Sequence, residues 1–335
     1  MLKTKVKFFS LGLLVWASSF LTHAQTPAYK VVDQIHLGGE AKWDFVYQDA
    51  PAARLYVSHG VQTEVIDTRL NQHVGTIPQT NGVHGVVTAP ELGLGFTSNG
   101  RDNSLTVFDL GSLKTLSTIA VGQNPDAIVY EPKSQRVLSF NGKSRDVSIV
   151  EARTLKLLST VPLNGKPEVA LVAPNGWVYF NIEDTHELAA IEPVSATVVL
   201  RKLLPDCTKP SGLAMDPQMR FYSVCENHTM VVSSAQGETL GTASIDEGPD
   251  GAAWMDGLAF SSNGGDGTLS IVQEVSAQKF ERVATLVTAL HAKTIAVDPL
   301  THTLYLPTAD FLPNAQGKSL GVPGTFKVLV VKAQN

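Results

Sequence analysis

The chain has 335 residues, a formal net charge of −5 and only two cysteines. This acid excess leaves no basic footprint for the phosphate backbone, so no nucleic acid partner is predicted. After the first 24 residues, no stretch is long and apolar enough to cross a bilayer, so no membrane span is predicted either.

The N-terminus has the pattern of a signal peptide. Three lysines among the first seven residues precede an apolar stretch over residues 8–20, and the sequence ending at Ala24 suits cleavage by a signal peptidase. We predict a signal peptide over residues 1–24, cut after Ala24, and a single domain over residues 25–335. The mature protein is expected in the periplasm or outside the cell, and loss of the three lysines would change its formal charge from −5 to −8.

A tetrapeptide that alternates apolar and small polar residues recurs seven times. The seven copies end at His59, Asn99, Asn141, Asn181, Cys225, Asn263 and Thr308. The spacings between these ends are 38 to 45 residues. Such even intervals predict a repeat array.

The third repeat indicates what one unit contains. Apolar or alternating runs at residues 127–130, 136–141, 147–150 and 155–163 are separated by short turn sequences. Four antiparallel strands in about 42 residues make one blade of a β-propeller. Because no sustained helical period follows the N-terminal segment, a helical solenoid is excluded. The predicted fold is all-β, a seven-bladed β-propeller.

The last repeat is one strand short. Residues 294–297, 302–306 and 326–331 supply three strands, and residues 29–37 alternate as a fourth strand would. The blades must close into a ring because an open array exposes unpaired strand edges. We therefore predict that the N-terminal strand completes the C-terminal blade.

The repeat resembles that of a known family. The tetrapeptide, followed by a strand such as residues 63–68 and a run such as residues 71–77, is similar to the YVTN repeat of the YncE-like seven-bladed propellers. The resemblance covers roughly residues 29–331. It implies the architecture but no single activity, because related propellers serve as binding modules, lactonases or dehydrogenase subunits.

The two cysteines fall in the fifth repeat. Cys207 precedes the predicted innermost strand, and Cys225 ends the antiparallel strand that follows, so both are expected at one face of one blade. In an oxidising compartment such a pair favours a disulfide. The alternative is a free Cys225 at the channel mouth that acts as a soft metal ligand.

One residue in each repeat enters the innermost strand at an equivalent position. These seven residues, here called the mouth ring, are Asp44, His84, Asp126, Glu168, Ser211, Asp250 and Lys293. They are expected to surround one opening of the central channel, with four carboxylates against one lysine and one histidine. Their variety favours ligand binding, and their acid excess favours a cationic small ligand or another exported protein as the partner.

The tetrapeptide ends are expected to form a second ring on the same face. Repeated asparagines at strand ends are typical of local turn hydrogen bonds, so a structural role is the leading interpretation of this second ring. Residues 309–325 form a connection far longer than the equivalent turns of the other repeats. A loop of that length is usually functional or disordered, and this one is expected beside the mouth ring as a partial lid.

Catalytic signatures are scarce. The sequence has no GxSxG nucleophile elbow and no phosphate-binding glycine loop. No cofactor is predicted, and the alternative is a divalent cation with His59 and His84 as candidate ligands near Asp44 and Asp126. The leading hypothesis is a non-catalytic exported binding or scaffold protein. The alternative hypothesis is a lactonase-like hydrolase that uses this divalent cation.

Overall fold

The computed structural model describes residue 2, residues 28–314 and residues 319–334. The predicted signal peptide lies outside these residues apart from Leu2. The described residues form seven four-stranded antiparallel sheets and one two-stranded hairpin. The seven sheets are the blades of a β-propeller, which confirms the predicted fold class. Among the described residues, no helix is long and apolar enough to span a membrane.

Each blade runs outward from the central channel as four strands. In order from blade 1 to blade 7, an order kept in the lists below, the innermost strands are Val46–Asp49, Val83–Ala89, Pro125–Glu131, Pro167–Val172, Pro210–Met215, Pro249–Met255 and Ala296–Asp298. The second strands are Arg54–His59, Leu94–Asn99, Arg136–Asn141, Val178–Ile182, Phe221–Cys225, Leu258–Asn263 and Thr303–Thr308. The third strands are Gln62–Asp67, Ser104–Asp109, Asp146–Glu151, Glu187–Glu192, Thr229–Ser233, Thr268–Ser276 and Lys327–Ala333. The outermost strands are Gln72–Ile77, Thr115–Ala120, Lys156–Pro162, Thr197–Leu203, Thr239–Ser244, Lys279–Val287 and Tyr29–His36.

Blade 7 is built from both ends of the chain. Its outermost strand, Tyr29–His36, pairs antiparallel with Lys327–Ala333, which pairs on its other side with Thr303–Thr308. Tyr29 packs edge-on against Phe260 of blade 6, with ring centroids 5.3 Å apart. The predicted closure by the N-terminal strand is confirmed.

The hydrophobic core is distributed between neighbouring blades. Alternate residues of a strand point to opposite faces of its sheet, so each blade can bury both of its faces against its neighbours. Tyr56 and Val65 of blade 1, for example, pack against Val86 and Phe108 of blade 2. This face-to-face packing holds the innermost strands side by side around the channel.

A disulfide joins Cys207 to Cys225. It ties the segment before the innermost strand of blade 5 to the end of the second strand, with the two Cα atoms 5.2 Å apart. Closing a loop of 18 residues in sequence stabilises the fold by about 3 kcal/mol, chiefly by restricting the unfolded chain. The predicted bridge is confirmed, and the alternative of a free Cys225 is wrong.

The closure of blade 7 gives a first testable prediction. Ile35 on the N-terminal strand is 5% exposed and packs in a cluster that includes Val328. The substitution Ile35→Asn should lower the free energy of unfolding by at least about 2 kcal/mol, because it removes buried apolar contacts and buries an amide. Val32→Asn on the same strand is the matched control, since Val32 is 47% exposed. Urea denaturation measures both, and equal effects would contradict the closure.

Candidate functional site

The mouth ring assembles at one opening of the channel, where its side chains meet across blades. His84 Nδ1 lies 2.5 Å from Asp44 Oδ2 and 3.6 Å from Asp126 Oδ1. Lys293 Nζ lies 2.8 Å from Asp250 Oδ2 and 3.4 Å from Asp44 Oδ1. These contacts run through five successive blades, from blade 6 round to blade 3. The fold therefore brings together these five of the residues that the sequence analysis assigned to equivalent positions. Their role in ligand binding stays a prediction.

A break in the β-ladder positions the ring residue in blades 2 to 6. In blade 3 the register with the second strand shifts between Pro125 and Ile128, so Asp126 lies outside the regular ladder. The same irregularity occurs at the equivalent position in the other four blades. Proline precedes the ring residue in blades 3 to 6 and has no N–H to donate to the ladder. Such a bulge re-aims the side chain, here towards the neighbouring ring residues.

Hydrogen bonds between blades fix the main chain of the ring. For six of the seven ring residues, a group of the preceding blade donates to the main-chain carbonyl oxygen. The donor and acceptor residues are Phe45 and His84, Ser98 and Asp126, Asn181 and Ser211, Ser211 and Asp250, Ser262 and Lys293, and Thr294 and Asp44. Among the described residues, no bond of this kind reaches Glu168. The ring backbone is therefore held by bonds that do not depend on the ring side chains, apart from that of Ser211.

Glycine after the ring residue permits these close approaches. A Cβ atom at Gly212 would lie 2.5 Å from the carbonyl oxygen of Asp250 in the next blade. A Cβ atom at Gly251 would lie 3.0 Å from the carbonyl oxygen of Lys293. A side chain at either position would push the innermost strands apart and disturb the ring.

Lys166 belongs to the same charge network, and the sequence interpretation missed it. Its ammonium group lies 2.6 Å from Glu168 Oε1 and also contacts the carboxylate of Glu183. The sequence feature that could have indicated this ion pair is the position of Lys166, two residues before Glu168 in the same turn. The mouth thus combines five carboxylates with three cationic groups when His84 is protonated, which leaves a formal charge of −2.

Two of the three cationic groups of this network flank blade 1, and the third, Lys166, lies beside Glu168. His84 and Lys293 sit in blades 2 and 7, on either side of blade 1. A cavity of about 290 Å³ beside Asp44 and His84 also has Lys42 and Arg101 in its lining. Asp126 and Glu168 come from the neighbouring blades 3 and 4, the first next to His84 and the second beside Lys166. We call this pair the acidic arc.

Both carboxyl groups of the acidic arc have a pKa above the ordinary value, chiefly because they are buried. Burial raises the pKa of Asp126 to about 6, against the opposing charge of His84 and with a contribution from Asp44. Burial, and then the charge of Asp126, raises the pKa of Glu168 to about 8, against the opposing effect of Lys166. The nearby cations therefore do not compensate these two carboxyl groups, and an added cation would stabilise both of their charges.

His84 and Asp44 behave as an ion pair. Burial alone would raise the pKa of Asp44, but the hydrogen bond from His84 and the charge of Lys293 outweigh it and lower that pKa. Burial disfavours the charged imidazole, yet the hydrogen bond to Asp44 and the charge of Asp126 raise the pKa of His84 above its usual value. A protonated His84 therefore neutralises Asp44 more effectively than Asp126.

The tetrapeptide ends are buried, which explains their repetition. In blades 2, 3 and 6 the asparagine amide donates to a hydroxyl of the third strand, and its carbonyl accepts from a hydroxyl two residues earlier. The residues in this pattern are Asn99 with Thr106 and Thr97, Asn141 with Ser148 and Ser139, and Asn263 with Ser270 and Ser261. These members of the second ring are therefore internal hydrogen-bonded residues, which agrees with a structural role.

His59 does not join the candidate metal ligands. It is 5% exposed, and its Nδ1 and Nε2 atoms lie 2.9 Å from Glu64 Oε1 and 2.7 Å from the carbonyl oxygen of Glu40. Both ring nitrogens are thus occupied by groups outside the mouth ring, because the His59 side chain is turned towards Glu64 of its own blade and the carbonyl group of Glu40. The ligand atoms that do come together are those of Asp44, His84 and Asp126, which lie within 4.8 Å of one another.

The long connection in blade 7 forms a hairpin beside the mouth. Strands Phe311–Pro313 and Ser319–Gly321 pair antiparallel, and residues 315–318 lie outside the described ranges. The Phe311 ring packs 5.9 Å from the ring of Trp43 and 4.0 Å from that of His291. The hairpin therefore contacts the blade 7 and blade 1 side of the mouth, away from the acidic arc.

Comparison with solved structures supports the propeller fold. The WD40 repeats of RRP9 superpose with a TM-score of 0.76 at 8% identity, covering 92% of this chain and 99% of that one. U3-55K gives 0.75 at 7% identity, covering 91% and 99%. Hydrazine synthase of Kuenenia stuttgartiensis gives 0.68 at 14% identity, covering 86% and 96%. At these identities the similarity concerns the fold alone.

No protein-family model matches the sequence, and no curated protein matches it either. The geometry of the mouth therefore carries the functional argument.

The raised pKa values predict how stability depends on pH. His84, Asp126 and Glu168 hold protons more tightly in the folded protein than in the unfolded chain. The contribution of these three groups to the free energy of unfolding should therefore fall as the pH rises from about 4.5 to about 8. Glu168→Gln should flatten this dependence, whereas Glu281→Gln on an exposed outermost strand should leave it unchanged. Urea denaturation across this pH range, with chelator present, tests the prediction, and parallel curves for all three proteins would contradict it.

Proposed function

We propose that this chain is an exported, YncE-like propeller that acts as a non-catalytic binding or scaffold protein, with a cationic ligand at the mouth ring. The tetrapeptide repeat supports the family assignment. The signal-peptide pattern of the N-terminus and a disulfide consistent with an oxidising compartment support export. The cation is either a small free ligand or a basic group on another exported protein.

The observation that carries the binding proposal is that nearby cations neutralise the carboxylates of the acidic arc only in part. The single Lys166 contacts both Glu168 and Glu183. Asp126 has His84 as its nearest cation, at 3.6 Å, and that imidazole is hydrogen-bonded to Asp44 instead. Bringing two such carboxylates together disfavours their charged forms. A bound cation offsets this repulsion, and the free energy so gained favours binding.

Thermal denaturation with added n-butylammonium tests this proposal. The ligand should raise the melting temperature of the wild-type protein, since a ligand that binds only the folded state stabilises it. Glu168→Gln should abolish most of this increase. Glu281→Gln is the charge-matched control, because Glu281 is 49% exposed on the outermost strand of blade 6 and pairs with Lys279. An increase of equal size in Glu168→Gln would contradict binding at the acidic arc.

The second candidate function is a lactonase-like hydrolase with a divalent cation. The grouping of Asp44, His84 and Asp126 favours it, because one imidazole and two carboxylates fit the donor preferences of zinc or manganese. A bound ion would polarise a carbonyl and activate water. Against this, the Lys293 ammonium group lies 3.4 Å from Asp44 and would repel the ion. The non-catalytic proposal is therefore preferred.

Metal analysis of the native protein, followed by lactone hydrolysis with and without chelator, separates the two candidates. If the protein is a non-catalytic binding protein, no chelator-sensitive hydrolysis of lactones should be measured. Stoichiometric metal and chelator-sensitive turnover, both lost in Asp126→Asn and both kept in Glu281→Gln, would favour the hydrolase instead.

A further inference from the structure

The innermost strand of blade 4 stays partly exposed along its length below the ring, unlike the other described innermost strands. Val169 and Leu171 also pack on the blade 5 side of the sheet, and Ala170 and Val172 on the blade 3 side. The four residues after Glu168, at positions 169–172, are all half-buried, whereas buried residues interrupt the equivalent segment of every other blade. These four residues are Val169, Ala170, Leu171 and Val172. We call them the aliphatic wall. It begins directly below the acidic arc, because Glu168 and Val169 are consecutive.

The channel below the ring is lined mainly by apolar residues. A cavity of about 150 Å³ has Val169 and Ala170 in its lining, and a larger space of about 400 Å³ has Leu171 and Val172. The two share Val46 and other residues, so they are contiguous. No charged side chain is among the described residues that line either space.

Charge and apolar surface therefore coincide on one side of the mouth. The acidic arc attracts a cation, and the aliphatic wall beneath it gains free energy when apolar surface covers it. A hydrated metal ion would bind the acidic arc but leave the aliphatic wall exposed to water. A ligand with one charged end and an apolar body uses both.

We propose that the ligand of the mouth is a primary alkylammonium, an amine with an unbranched aliphatic body. Its ammonium group binds between Asp126 and Glu168, and its body extends down the channel along the aliphatic wall. This inference rests on the proposed cation-binding function and names the class of cation.

The chemistry of the site favours a primary amine over other organic cations. Three N–H donors can be shared among the carboxylates of Asp126 and Glu168 and the hydroxyl group of Ser211, the next ring residue. A quaternary ammonium has no donor and is usually bound by aromatic side chains, which the ring lacks. A diamine would bury its second charge against the uncharged channel lining, which is strongly unfavourable.

Isothermal titration calorimetry with n-alkylamines from methylamine to n-hexylamine tests this inference. Affinity should rise by up to about fourfold for each methylene that is fully buried, because burying one CH₂ group contributes ~0.8 kcal/mol to the free energy of binding. The heat capacity change of binding should become more negative along the series. The diamine 1,6-diaminohexane matches n-hexylamine in length and should bind at least about tenfold more weakly. Affinity independent of chain length, or equal binding of the two six-carbon amines, would overturn the inference.

A pair of variants locates the apolar body. Val169→Thr replaces a methyl group of the wall with a hydroxyl at nearly constant shape, so it should weaken n-hexylamine binding more than methylamine binding. Val74→Thr makes the same change on the outermost strand of blade 1, where the side chain is 44% exposed, and should change neither. If both variants leave the chain-length dependence intact, the body does not lie along the wall.

The result with Glu168→Gln separates this inference from the function on which it rests. If short and long amines bind equally well but both lose affinity in Glu168→Gln, the cation site stands and the aliphatic body is wrong. If no amine binds, or if Glu168→Gln binds as well as the wild-type protein, the cation site itself is wrong.

Discussion

Antiparallel pairing between Tyr29–His36 and Lys327–Ala333 joins the two ends of the chain, and the rest of the ring depends on it. Blade 7 has only three strands from its own repeat, so without this pairing the strand Lys327–Ala333 would keep an unpaired edge. With blade 7 complete, the seven innermost strands surround one axis. The mouth-ring residues, which lie at or just before the starts of these strands, then meet at one opening, although they are about 40 residues apart in sequence. The candidate site is thus a product of closure, and no local motif encodes it.

The mouth ring shows how a symmetric scaffold carries an asymmetric site. Its backbone positions are equivalent, but Lys293 and His84 neutralise Asp250 and Asp44, while the acidic arc keeps its excess charge. Burial determines the size of this effect, since the same carboxylates in water would be screened by solvent and salt. The asymmetry continues into the channel, where the aliphatic wall lies under the same arc. Position in the ring, rather than residue type alone, decides what each acid can do.

The features that follow from the repeat period could be predicted from the sequence. The even spacing of the tetrapeptide gave the blades, the strand shortage of the last repeat gave the closure, and the equivalent entry positions gave the mouth ring. The sequence did not predict side-chain direction. His59 was grouped with His84, but its side chain turns into its own blade, and Lys166 was missed because its ion pairs depend on how a turn folds over Glu168. Such contacts depend on three-dimensional approach, which spacing along the chain does not specify.

The interblade hydrogen bonds have a consequence for how such a protein diversifies. Among the described residues, six of the seven ring residues, all but Glu168, are held through their main-chain carbonyl oxygens by donors from the preceding blade, and only Ser211 also supplies such a donor from its own side chain. Their side chains can therefore be exchanged with little effect on the bonds that hold the blades together. The scaffold separates the residues that evolution must keep for folding from those that it can vary for recognition. A single propeller could thus acquire a new ligand through a few substitutions at seven positions, much as an antibody does through its loops.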